Sequence, residues 1–178
     1  MCRLAGYYLT KKTVTNGNTA KGNVLDLLVQ QQGGGTDATG LAFALPKNKF
    51  WVHKKPANAT DFVSNADTLK VLEEHNPRSV IAHCRLKTLG DQSNNMNNHP
   101  HFTKGGIITI HNGVITNHDE LFEKYKFPRD AEVDSEIIGK MVEMYIKLGC
   151  DTPTAIQNMS KEVRGSMALA LLDVTQPD

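Results

Sequence analysis

The chain has 178 residues, of which 39% are hydrophobic and 22% charged, and its formal net charge is +1. This balance describes one globular domain over residues 1–178 with a real core, and it excludes a disordered tail and a nucleic-acid-binding surface carried by net charge. No run approaches the roughly 18 apolar residues that cross a bilayer, the N-terminus lacks a secretion-signal layout, and the three cysteines (Cys2, Cys84, Cys150) have no CxxC spacing, so the chain reads as cytoplasmic without a zinc ribbon or disulfide framework.

In chain order, the apolar run CRLAGYYL predicts a first strand, and NVLDLLVQQQ, with Val24, Leu25, Leu28 and Val29 at helical spacing, predicts a helix stopped by the glycines at 33–35. LAFALP and KFWVHKK read as two strands of a hairpin around the polar Lys47-Asn48. ATDFVSNADTLKVLEEH is helical, in one or two pieces, and closes at Asn76-Pro77. SVIAHCRL and GIITIHNG are strands separated by a long polar loop from Lys87 to Lys104. NHDELFEKY starts a short helix with Asn117 as its N-cap, and DSEIIGKMVEMYIKLG carries an apolar stripe of Ile137, Ile138, Met141, Met144, Tyr145 and Leu148. TPTAIQNM begins a further helix with Thr152 as cap and Pro153 in its first turn, and SMALALLD is a last strand. Elements come in blocks rather than in strict alternation, which favours an α+β fold with a largely antiparallel sheet.

Polar residues gather where strands end, in GGTDATG, HCRLKTLG, NNHPH, HNG and VDSE, and functional groups concentrate in such loops. Each segment also has a plain structural reading. Cys2 can be a small core residue, Arg85 a surface ion-pair partner, HNG a tight turn, and Asp134 the N-cap of the helix it precedes. The histidines at 83, 99, 101 and 111 have no carboxylate at a diagnostic spacing, so no metal is expected.

Taken in order, these segments resemble the class II glutamine amidotransferase domain, a member of the N-terminal-nucleophile hydrolases. That family opens on a processed cysteine segment, matched by Cys2 to Gly6, followed by a loop of which GGTDATG keeps Asp37 and Gly40. Its His-Thr-Arg-Trp-Ala-Thr-His-Gly motif is matched at His83, Arg85, Thr88 and Gly90, and then come Asn98 to His101, Asn112-Gly113, Asp134-Ser135-Glu136 and GSMALALL. The match runs from Cys2 to Asp173. Leu86 and Leu89 stand where the family has tryptophan and histidine, which alters the wall of the glutamine pocket.

The resemblance implies a four-layer αββα sandwich with largely antiparallel sheets, truncated at the C-terminus because family domains continue into further strands. It implies hydrolysis of the side-chain amide of free L-glutamine, giving glutamate and ammonia for a separate synthase or synthetase, with no cofactor, nucleic acid or membrane involved. Cys2 would be the nucleophile once Met1 is removed. Its α-amine would then serve as base, since an α-amine titrates at about 7.7–8 and a thiol near 8.5, whereas an amide nitrogen behind Met1 takes no proton. Asn112 and Gly113 would form the oxyanion hole. Arg85 would grip the substrate carboxylate as a bidentate pair, Thr88 would lie near that carboxylate, and Asp134 would hold the substrate ammonium. Two alternatives remain open on residues alone: a cysteine amidase of the same fold acting on another amide, and a non-catalytic binding or regulatory module.

Overall fold

The computed structural model describes residues 2–9, 17–75 and 77–176; Met1, and with it the expected N-terminal processing, and Asn76 of the expected Asn76-Pro77 helix stop lie outside them. In chain order the elements are β1 (Arg3–Tyr8), α1 (Gly17–Gln31), β2 (Ala38–Leu45), β3 (Lys49–Lys55), α2 (Ala59–Val63), α3 (Ala66–His75), β4 (Ser79–Arg85), β5 (His101–Phe102), β6 (Ile107–Ile115), α4 (His118–Tyr125), α5 (Glu136–Lys147), α6 (Thr152–Glu162) and β7 (Gly165–Asp173). One sheet has the order β1-β4-β2-β3 and the other β5-β6-β7. Every pairing in both is antiparallel.

Three separate apolar clusters make this a four-layer molecule. Val24, Leu28, Phe62 and Leu72 from the first helices pack on Leu41, Phe43, Val80 and Ala82, which is one outer face. Ile137, Ile138, Met141, Ala155 and Met159 from α5 and α6 pack on Ile107, Ile115, Met167, Leu169 and Leu171, which is the other. Between the sheets lie Leu4, Ala42, Val52, Ile81, Ile108, Ile110, Ala170 and Leu172. The order is therefore helices, sheet, sheet, helices, as expected for αββα.

Most elements follow the sequence reading, and the departures have local causes. The hairpin turn falls on Lys47 and Asn48, both left-handed at φ 62° and 56°, which suits the twist of two-residue hairpins. ATDFVSNADTLKVLEEH divides into two helices because Asn58 and then Asn65 each accept from a following backbone N–H (Asp61 and Asp67). The loop from Lys87 to Lys104 contains the strand β5, too short to show any periodicity. Thr152 is not the cap of α6: Asp151 accepts from Thr154 N at 2.9 Å, while the Thr152 hydroxyl donates to Asp173 at 2.6 Å. Asn117 occupies the N-cap position of α4 without capping it, because its side chain instead donates to Glu162 O and accepts from Arg164 N.

Candidate active site

Strand alternation decides which side chains meet. In β4, Val80, Ala82 and Cys84 face the helices, so Ile81, His83 and Arg85 face the second sheet. In β1, Leu4 faces inward, and so does Cys2 two residues earlier. The inward residues of β2 and β3 continue from Ala42 and Val52 to Gly40 and Lys54, and those of β6 from Ile108 and Ile110 to Asn112. One end of the inter-sheet layer is thus apolar, and the other end brings Cys2, Gly40, Lys54, His83, Arg85 and Asn112 onto facing surfaces. Both β1 and β4 contact β6 across the layer.

Cys2 is half-buried with a free thiol. The Leu86 backbone N–H donates to its Sγ at 3.3 Å, and the thiol lies 3.5 Å from the Leu86 carbonyl. Arg85 is 4% exposed. Its Nη1 donates to Asn98 Oδ1 at 2.7 Å, and its Nη2 donates to the carbonyls of Leu89 and, at 3.0 Å, Gly90. Both terminal nitrogens, which the expected bidentate grip on a carboxylate would use, are therefore already engaged by the loop that follows, leaving Nε and one Nη1 hydrogen for a ligand. No carboxylate pairs with this guanidinium among the described residues. Burial lowers its pKa, while Cys2, Asp37 and Asp91 act in the opposite direction.

A second cation sits close by. Lys54 donates to Asn98 O at 2.6 Å and Pro100 O at 3.1 Å, and burial, with Arg85 adding repulsion, pushes its pKa down to about 8. Asn98, fully buried, connects the two, since it accepts from both. Gly40 makes room for this segment: a Cβ there would collide with the His99 carbonyl and Pro100. Glu136 acts on Lys54, and Asp37 and Asp91 on Arg85, to favour the charged forms, but both cations bond directly only to neutral oxygens among the described residues, which leaves room for an anionic ligand.

On β6, Asn112 has no side-chain hydrogen bond among the described residues and is half-buried, so its amide is free to donate. Gly113 has φ +152°, and any side chain would collide with the Ser166 carbonyl, so this position requires glycine. Asp134 is not a helix cap: Ser135 holds that position in α5, and Asp134 Oδ2 instead accepts from Ile115 N at 2.7 Å. Its Oδ1 has only a 3.4 Å contact with Ser135 Oγ, which leaves a buried carboxylate oxygen with capacity to accept. Thr88 is exposed in the loop beside Leu86 and Leu89, themselves 41% and 43% exposed.

The structure adds residues whose part the sequence did not reveal. Lys54 reads as an ordinary strand lysine, and nothing local marks it as buried. Glu136 anchors the loop before α5, accepting from Asp130 N and Ala131 N and pairing with Lys140 at 2.8 Å. Among the described residues no group of His, Cys, Asp and Glu is arranged to hold a metal.

No protein-family model matches the chain. A glutamine–fructose-6-phosphate aminotransferase (isomerizing) from Aeropyrum pernix is 30% identical over all of this chain and 28% of its own length. One of the same description from Sulfolobus acidocaldarius is 30% identical over 95% of this chain, and one from Pyrobaculum aerophilum 39% identical over 54%. Among solved structures, the allosteric regulatory enzyme of purine biosynthesis superposes with TM-score 0.75 and 16% identity, covering 98% of this chain and 36% of that one. Glutamine phosphoribosylpyrophosphate amidotransferase from B. subtilis superposes with TM-score 0.72, also at 16% identity, covering 98% of this chain and 35% of that one. By its relatives the chain is a class II glutamine amidotransferase domain, and the superposed structures show the fold of the N-terminal-nucleophile amidotransferases. Its curated relatives are glutamine–fructose-6-phosphate aminotransferases, and it spans 28% of the first of them.

Proposed function

We propose that this domain hydrolyses the side-chain amide of free L-glutamine and supplies the ammonia to an acceptor enzyme outside these 178 residues. The observation that carries this reading is the Cys2 thiol, held by the Leu86 N–H, close to the buried Arg85 guanidinium, which has no ion-paired carboxylate among the described residues, with Asn112 on the facing sheet.

In this reading, removal of Met1 frees the Cys2 α-amine. The amine takes the thiol proton, and the sulfur attacks the amide carbon of glutamine, forming the S–C bond. The developing oxyanion receives hydrogen bonds from the Asn112 amide and the Gly113 backbone N–H. The protonated α-amine then gives its proton to the leaving nitrogen, the C–N bond breaks, and ammonia departs. Water attacks the remaining thioester, releasing glutamate and restoring the thiol. Arg85, through the N–H groups not turned to Asn98, Leu89 and Gly90, faces the substrate carboxylate, and Asp134 Oδ1 faces the substrate ammonium. Two opposite charges, one for each charged end of the substrate, select a free amino acid rather than a glutamine within a peptide.

Thr88, exposed in the loop that follows Arg85, belongs to this reading as a contact near the substrate carboxylate. The printed name of the relatives adds fructose-6-phosphate, and an acceptor of that sugar-phosphate class is the first to test. Glutamate release measured with the purified chain alone, and then with added acceptor enzyme, checks both halves of the proposal.

A further inference from the structure

The geometry points to His83 as a positioning residue that sets the oxyanion-hole strand against the nucleophile's strand. This rests on the reading of Cys2, Asn112 and Gly113 given above.

The two halves of that machinery lie on different sheets. Cys2 enters β1 of the first sheet, and Asn112 and Gly113 belong to β6 of the second. What holds the sheets together is mostly side-chain packing of Leu4, Ala42, Ile81, Ile108, Ile110 and their neighbours. Apolar contact is non-directional, so it fixes spacing better than it fixes sliding. A hydrogen bond is directional. Among the described residues one hydrogen bond runs from a strand of the first sheet to a strand of the second: His83 Nε2 to the His111 carbonyl, at 3.1 Å.

That carbonyl belongs to the peptide joining His111 to Asn112, so the bond grips the chain immediately before the donors. A carbonyl only accepts, which requires the proton on Nε2 and fixes the tautomer of His83. The ring is 1% exposed. His99 packs against it with ring centroids 4.2 Å apart, and in the strand register Leu4 and Gly40 flank it on either side. Burial holds the ring neutral, its pKa pushed down to about 3, so it carries this one donor throughout the neutral range. His111 plays a different part: its own ring turns to the other face of the sheet and meets Ser135 Oγ at 2.9 Å.

A donor displaced by about 1 Å costs roughly a hundredfold in rate, while ground-state binding, which does not use the oxyanion hole, stays the same. The experiment is a steady-state glutaminase assay on the full chain with His83→Leu, His83→Gln and His83→Asn, alone and combined with Asn112→Ala. Gln carries an N–H at the same bond count from Cα as the histidine Nε2, and Asn is one bond shorter. His83→Leu and His83→Asn should lose about 100-fold in kcat with KM within about threefold, and His83→Gln should recover most of it. Asn112→Ala should cost far less in the His83→Leu background than in the wild type, because the donor is already misplaced.

Full additivity of the two changes, equal loss in Leu and Gln variants, or a loss confined to KM would overturn the assignment. If His83→Leu does not fold, the Gln and Asn pair decides by the same comparison. If the wild type turns over no glutamine, the functional reading fails on its own, and hydrogen exchange of the amides around residues 111–115 reads the clamp directly. Faster exchange in His83→Asn supports the clamp, and unchanged exchange refutes it.

Discussion

Cys2 lies close to Arg85: the β1–β4 register ends at Arg3 against Cys84, the Leu86 N–H that follows Arg85 donates to the Cys2 thiol, and Cys2 acts on the Arg85 charge. A nucleophile and a buried cation are thereby brought to the same end of two neighbouring strands, and the cation has no ion-paired carboxylate among the described residues. In a protein interior a charge in that condition is expensive unless something anionic completes it. The account makes glutamine's carboxylate that partner.

Arg85→Lys should therefore weaken glutamine binding more than it slows chemistry. Lysine keeps the charge and loses the planar fork that also reaches Asn98, Leu89 and Gly90. A charged hydrogen bond of this kind is worth about 1.5–3 kcal/mol, so KM should rise roughly tenfold to a hundredfold. Steady-state kinetics beside a melting curve checks this, because the loop bonds make some loss of stability expected as well.

Asp134 serves the fold and, in this account, the substrate, and one substitution separates the two. Asp134→Asn keeps an oxygen for the Ile115 N–H but removes the negative charge. It should raise KM about tenfold with little change in melting temperature. Asp134→Ala should lower both stability and affinity. An Asn variant with wild-type KM would leave Asp134 a purely structural tie.

Asn112→Ala should reduce kcat by about 10²–10³ with little change in KM, since its free amide serves a charge that exists only in the transition state. The side chain makes no bond within the described structure, so the melting temperature should hold.

Stability should fall steeply on acidification. His83, His99, His101 and His111 are all held neutral, with burial the leading cause in each. Each titrates near 6.5 when unfolded and lower when folded, so below about pH 6.5 the unfolded chain binds more protons and the native state loses ground. Their folded contribution is complete above that pH. Denaturant midpoints measured from pH 7 to 5 should drop, with a net proton uptake on unfolding to which His83, His99 and His101 contribute most. A midpoint flat across this range would show that the rings accept protons in the folded state.

Much of the architecture was legible in the sequence because apolar runs mark buried strands and apolar residues at helical spacing mark the buried faces of helices. The αββα layering came from motif order and the resemblance it carries, because a strand such as SVIAHCR, buried along its whole length, does not say in sequence which of its faces meets helices and which the second sheet. Cap assignments fared worse. Asp151 competes with Thr152 for one helix start, and Asn117 is drawn away by Glu162 and Arg164, residues some 45 positions distant in sequence. Lys54 and His83 illustrate the same limit at the site. A lysine in an edge strand and a histidine in a buried one show nothing in sequence of the carbonyls they reach, because those partners come from loops and strands far along the chain.

The central claim is that Cys2, with a free α-amine, attacks glutamine, and intact-mass analysis after treatment with a glutamine-mimicking electrophile tests it most directly. The account predicts one adduct, on Cys2, in a chain that lacks Met1, with glutaminase activity lost in step with labelling and absent in Cys2→Ala. Cys84, packed against the helices with its thiol pKa pushed up to about 11 by burial, should stay unmodified, and Cys84→Ala and Cys150→Ala should keep most of the activity. An adduct on Cys84 or Cys150 that tracks the loss of activity, or full activity in a chain retaining Met1, would contradict the account.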